Sequence, residues 1–116
     1  MSRTSCSLIA AALFVAAVLS LAACKKEDLS PEQVRVRRGQ TMYTLHCASC
    51  HNPSDPKRDG GVGPAIAGSS LELLQARIFR SAYPEGYHPK RETHIMPRLP
   101  LDQDQVGALH AYLSSL

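Results

Sequence analysis

The sequence predicts an all-α protein, a small domain of three main helices joined by two long loops. Two observations carry that prediction: apolar residues recur at helical spacing after residue 70 and again at the C-terminus, and no stretch alternates apolar and polar residues as a half-buried strand does. A third concerns the core. A chain of 116 residues with no tryptophan and 5% aromatic residues can bury only a limited share of its surface, so something besides side chains is expected to fill the centre.

The N-terminus reads as an address. Arg3 supplies a weak positive charge, Leu8 to Leu19 is apolar and alanine-rich, and Leu21-Ala22-Ala23-Cys24 puts small residues before a cysteine. An uncleaved membrane helix over residues 4–24 is the rival reading, but that run is marginal in length. "LAAC" resembles the bacterial lipobox, in which a diacylglycerol is attached to the cysteine sulfur and the chain is cut before it. The expected division is a lipoprotein signal peptide over residues 1–23, a lipidated N-terminus and polar tether over 24–31, and a folded domain over 32–116. Acyl chains contribute about 0.8 kcal/mol per buried CH₂, enough with two or more to anchor a small domain. Membrane attachment through Cys24 on the periplasmic, extracytoplasmic side follows from that reading.

The first helix is expected to open at Ser30-Pro31-Glu32-Gln33, with serine as N-cap and proline at the first helical position, and to run to about Cys47. Gly68-Ser69-Ser70 leads into a second helix with Leu71, Leu74 and Ile78 on one stripe, ending near Ser81, where prolines and a glycine follow. Leu101-Asp102 opens the last helix, whose apolar positions are Val106, Leu109, Tyr112 or Leu113, and Leu116. The loops are then residues 51–70 and 81–100, long enough in so small a domain to require a function.

The formal charge is +3, and +2 once Arg3 leaves with the signal. That is too mild to suggest nucleic acid as a partner. Arg35, Arg37 and Arg38, like Lys90, Arg91 and Arg98, read as solvated faces.

The cysteines are more informative. Of four, Cys6 lies in the signal and Cys24 carries lipid, leaving Cys47 and Cys50 in "CASCH". Cys-x-x-Cys-His is the attachment pattern of c-type haem: the thiols add to the two vinyl groups and the adjacent imidazole reaches the iron. A thioredoxin-like dithiol would want a βαβ context, and a structural zinc site a second pair of ligands. Neither is present.

From about Glu32 to Leu116 the chain resembles the class I cytochromes c. Gly39, Tyr43 and Cys47, four apart, share one helix stripe. In that family such a glycine lets the first and last helices cross closely and an aromatic packs at the crossing; Tyr112 looks like its partner. "GPAIAG", Gly63 to Gly68, resembles the family's Gly-Pro-x-Leu-x-Gly loop, which implies that the Pro64 carbonyl accepts the His51 ring N–H and that Ile66 packs on the porphyrin. Met96-Pro97, shortly before the last helix, matches the family's distal methionine, implying His51 and Met96 as the two axial ligands. His88 and His94 lie in the same loop and can also bind iron; Met42 sits on the first helix and is a poor rival. His46 and His110 read as exposed helix histidines. The loop "AYPEGYHPKRETHIMP" departs from the family in its length and in crowding Tyr83, Tyr87, His88, Lys90 and Arg91 together.

The resemblance implies one covalent haem c and single-electron transfer between protein donor and acceptor, without enzymatic activity of its own. Two alternatives stay open: a haem protein with a vacant distal position acting as a gas or peroxide sensor or enzyme, and a haem subunit of a larger dehydrogenase or oxidase.

Overall fold

A computed structural model describes residues 28–92 and 95–116; the segment expected to be a signal peptide, Cys24 and His94 lie outside them. Three helices make up the regular structure: α1 (Pro31–His46), α2 (Leu71–Arg80) and α3 (Gln103–Ser114). No strand occurs among the described residues, and none of their helices is long and apolar enough to cross a membrane.

Each helix begins where its capping chemistry dictates. Ser30 and Gln33 form a reciprocal box, Gln33 N–H to Ser30 Oγ at 3.2 Å and Ser30 N–H to Gln33 Oε1 at 2.8 Å. Asp102 and Gln105 repeat it on α3 at 2.7 and 2.9 Å, and Ser70 Oγ accepts the Leu73 N–H at 3.2 Å on α2. These bonds satisfy amide donors that a helix start leaves without partners. α2 ends on Ser81 in the left-handed region, φ 50°, and the Ser81 carbonyl receives a bond from Arg77 Nη1 at 2.9 Å.

α1 and α3 cross in the principal helix contact, and α2 packs more sparingly on α3. α1 is polar almost all round and buries only Gly39 and Tyr43. That is sufficient because the contact is a point. A Cβ on Gly39 would fall on the Ala108 carbonyl oxygen and 2.7 Å from Tyr112 Cβ, so the two backbones approach as only glycine permits. One turn on, the Tyr43 and Tyr112 rings meet at 5.9 Å with planes tilted by 55°, the offset geometry aromatic pairs prefer. Arg35 adds a bond from Nη2 to the Gly107 carbonyl at 3.3 Å. The other side of α3 carries the core: Val106, Leu109 and Leu113 are buried with Ile78 of α2.

Two expected core positions are not in the core. Leu71, in the first turn of α2, and Leu116, beyond the end of α3, are 37% and 40% exposed. The helical stripe continues through both, but the packed surface does not. Leu113 takes the fully buried place at the α3 C-terminus, with Tyr112 half-buried at the crossing.

Candidate functional site

The chain leaves α1 through a turn rather than a break. Cys50 N–H and His51 N–H both bond to the Cys47 carbonyl, at 3.2 and 2.9 Å, so the two thiols stand one helical turn apart with the histidine just beyond. Cys47 is buried and Cys50 exposed, and both are free thiols. Burial, with Cys50 beside it, pushes the Cys47 thiol up to about 11. Among the described residues no three His, Cys, Asp or Glu side chains converge as a metal cluster.

His51 is buried, and the 51–70 loop is built around it. Val62 and Gly63 N–H groups bond to the Cys50 carbonyl at 3.2 and 2.8 Å, and Gly60 N–H bonds to the Gly63 carbonyl at 2.9 Å, forming a tight frame. A Cβ on Gly63 would lie 2.5 Å from His51 Cε1 and 2.6 Å from Nδ1, so the frame closes directly against the imidazole. His51 Nδ1 faces the Pro64 carbonyl at 2.7 Å. That oxygen can only accept, so Nδ1 carries the proton and Nε2 is left as the lone-pair nitrogen.

Behind the thiols lies a cavity of about 260 Å³, with His51 and Pro64 on one side and Met96 among its other lining residues. Leu74 and Ile78 of α2 and Leu109 of α3 give it an apolar wall, and Ile66 also lines it. The structure therefore brings together Cys47, Cys50, His51, Pro64, Ile66 and Met96. His88 is exposed and not among the lining residues. His46 and His110 are half-buried rather than exposed: His46 borders the cavity, and His110 Nε2 lies 3.3 Å from Ser114 Oγ.

Arg77 is a lining residue that the sequence did not reveal. Arg77 is only 7% exposed, has no carboxylate within 4 Å among the described residues, and lies with its guanidinium 4.3 Å from the centre of the Tyr83 ring. Tyr83 in turn stacks on Tyr87 at 5.3 Å. A buried cation without an acidic partner is costly, and its position in this wall suits a ligand that brings its own carboxylates. Its spacing was a usable signal, since Arg77 falls three residues after Leu74 on the apolar side of α2.

The residues present fit a porphyrin: two thiols one turn apart, an oriented imidazole, a thioether, an apolar cavity and a buried cation. Residues 36–116 match the cytochrome c family. No curated protein and no solved structure matches the chain. The match takes in all of α2, α3 and both loops and most of α1, with the cavity they enclose, so the chain belongs to the cytochrome c family, a haem-binding electron-transfer protein of all-α fold that holds haem c covalently.

Proposed function

We propose that this chain carries single electrons between protein partners outside the cytoplasm while tethered to a bacterial membrane through a lipid on Cys24. The haem supplies the ferric and ferrous couple; the chain holds it, orients its ligands and limits access to it. Cys47 and Cys50 form the two thioether links. His51 presents Nε2 to the iron, its ring fixed by Pro64 and Gly63 and made a stronger ligand by the bond from Nδ1. Met96 would be the second iron ligand, and a thioether in that role would favour the ferrous state more than a second imidazole. Arg77 meets the carboxylates the porphyrin brings, and Ile66 packs against the ring. The observation that carries this reading is the shared cavity, with an oriented His51 and Met96 both on its lining and His88 outside it.

The deciding measurement is the absorption spectrum of the ferric and ferrous protein with and without carbon monoxide. Wild type should show the weak sulfur-to-iron charge-transfer band and bind carbon monoxide slowly. Met96→Ala should lose the band, bind carbon monoxide at once and have a lower reduction potential, whereas His88→Ala and His94→Ala should do none of these. Rapid carbon monoxide binding by wild type would replace electron transfer by the sensor or enzyme reading. For the anchor, Cys24→Ala should abolish labelling by radioactive fatty acid and release the red protein from membranes.

A further inference from the structure

The two long loops are not independent. Arg91 reaches from the second into the first, where Nη1 donates to the Val62 carbonyl at 3.0 Å, and Nη2 to the Gly60 carbonyl at 3.3 Å and to Asp59 Oδ2 at 3.2 Å. Asp59 is held in place from behind, since its Oδ1 accepts the Ala65 N–H at 2.7 Å. That bond first, and then Arg91, draws its carboxyl below the usual carboxylate range. Lys90 Nζ donates to the Ala65 carbonyl at 2.8 Å, so Ala65 is gripped on both sides. Gly60, Val62 and Ala65 flank Gly63 and Pro64, the two residues that fix the His51 ring.

A partly exposed ion pair alone contributes little. Here one planar guanidinium serves three acceptors, two of them carbonyls of the frame itself, which a fork can do and a point charge cannot. Its place in the chain gives the contact a purpose. The loop's other end is fixed where Leu99 N–H bonds to the Ile78 carbonyl at 3.1 Å, and its start where Ala82 N–H bonds to the Ala76 carbonyl, also at 3.1 Å. Arg91, with Lys90 beside it, lies about midway between these points and fastens the approach to Met96 to the first loop.

We infer that Arg91 is a positioning residue for iron ligation: it latches the Met96-bearing segment to the frame that orients His51, so that the two axial ligands are held by one shared network. The inference rests on Met96 being the distal ligand. Halving a tether raises the effective concentration of its end group by about threefold, and relaxation of the frame adds to the effect when the latch is lost.

The test uses the ferric holoprotein with free imidazole as competitor for the distal position, read by loss of the charge-transfer band. Arg91→Ala, made together with Lys90→Ala so that no neighbouring bond holds the strap at the same point, should need about three- to tenfold less imidazole than wild type, with Arg91→Lys in the same background in between because its ammonium cannot serve all three acceptors. Ser30→Ala, which removes a helix cap remote from the site at a cost of about 1 kcal/mol, should leave the titration unchanged. Equal effects from Ser30→Ala and the double variant, or an unchanged titration in the double variant, would overturn the latch. If wild type lacks the band, the Met96 assignment falls by itself, and amide exchange then judges the latch. The double variant must speed exchange at Val62, Gly63 and Ala65 as well as around residue 91, and unaltered exchange at those three amides overturns it.

Discussion

The two loops that enclose the cavity are similar in length and opposite in construction. Residues 51–70 are tied to themselves and to the helices by short-range and backbone bonds: the Asn52 carboxamide oxygen accepts the Ser54 and Asp55 N–H groups, Ile66 and Ala67 N–H groups bond to the Pro56 carbonyl, and Gly68 N–H bonds to the Leu113 carbonyl. Among the described residues of 81–100 the backbone bonds are chiefly Tyr87 N–H to the Pro84 carbonyl and those at either end, and Lys90 and Arg91 reach outward with their side chains. The first loop is a rigid seat for His51 and the second a strap fastened to it. On the proposed ligation by His51 and Met96, one ligand follows directly on the covalent attachment and the other must be brought to the iron by its loop, and the two loops differ in the bonds that hold them.

The strongest way to break the comparison is to remove what both loops surround. Changing Cys47 and Cys50 together to alanine eliminates the covalent haem, and the apolar cavity then has neither filler nor a way to collapse without dismantling the 51–70 frame. A domain of this size has only about 5 to 15 kcal/mol of net stability to lose, so the double variant should lack a cooperative thermal transition and most of its far-ultraviolet helical signal. A variant that stays helical and melts cooperatively would show that the side-chain core suffices.

A paired substitution sharpens the contrast at intermediate cost. Gly63→Ala puts a methyl group into the His51 ring, so the imidazole or the Pro64 carbonyl must move, and overpacking of this kind costs about 2 kcal/mol. Gly86→Ala in the other loop meets nothing within 4 Å and suffers only from its φ of +74°, about 1 kcal/mol. Gly63→Ala should also shift the reduction potential and the ferric ligand-field spectrum, and Gly86→Ala should leave both alone. Denaturant unfolding followed by haem absorbance measures the two together; equal spectral changes would mean that the seat is no stiffer than the strap.

The same contrast decides what could be read in the sequence. Helix starts were legible because Ser30, Ser70 and Asp102 act on amides three residues away, whereas the histidine seat was legible only through the family resemblance that "CASCH" and "GPAIAG" carry. The α1–α3 crossing was legible through the same resemblance, at Gly39 and Tyr43. The strap was not. Its anchors join Lys90 to Ala65 and Arg91 to Val62 and Gly60, 25 to 31 residues apart, and use carbonyls that every residue possesses. A Lys-Arg pair in a polar loop therefore reads as solvated. Arg77 escaped notice for a related reason, since a buried cation makes sense only once the cavity beside it is known. Leu71 and Leu116 erred the other way, because periodicity reports which face is apolar and not how far the packed surface extends.

The smallest expected effect lies at the hinge between the seat and the helices. The Tyr43 hydroxyl donates to the Asn52 carbonyl, tying the first residues of the 51–70 loop to the α1–α3 crossing. Tyr43→Phe keeps the ring pair with Tyr112 and removes that bond, which should cost about 1 kcal/mol near neutral pH. Burial, with lesser contributions from Cys47, Tyr112 and Asp55, pushes the phenol up to about 12 from its ordinary 10. In the folded protein Tyr43 therefore keeps its proton through a range where the unfolded chain has begun to lose it. The stability this group contributes is complete below pH 10 and is lost as pH rises from 10 towards 12. Tyr112 is also raised by burial but is present in both proteins, so the difference between them isolates Tyr43. Denaturant melts of wild type and Tyr43→Phe across pH 9 to 12 should show a gap that narrows with pH. A gap that is absent at pH 9 would mean that the 51–70 loop keeps its attachment to the crossing without this phenol, and one that stays constant would mean that folding does not shift its titration.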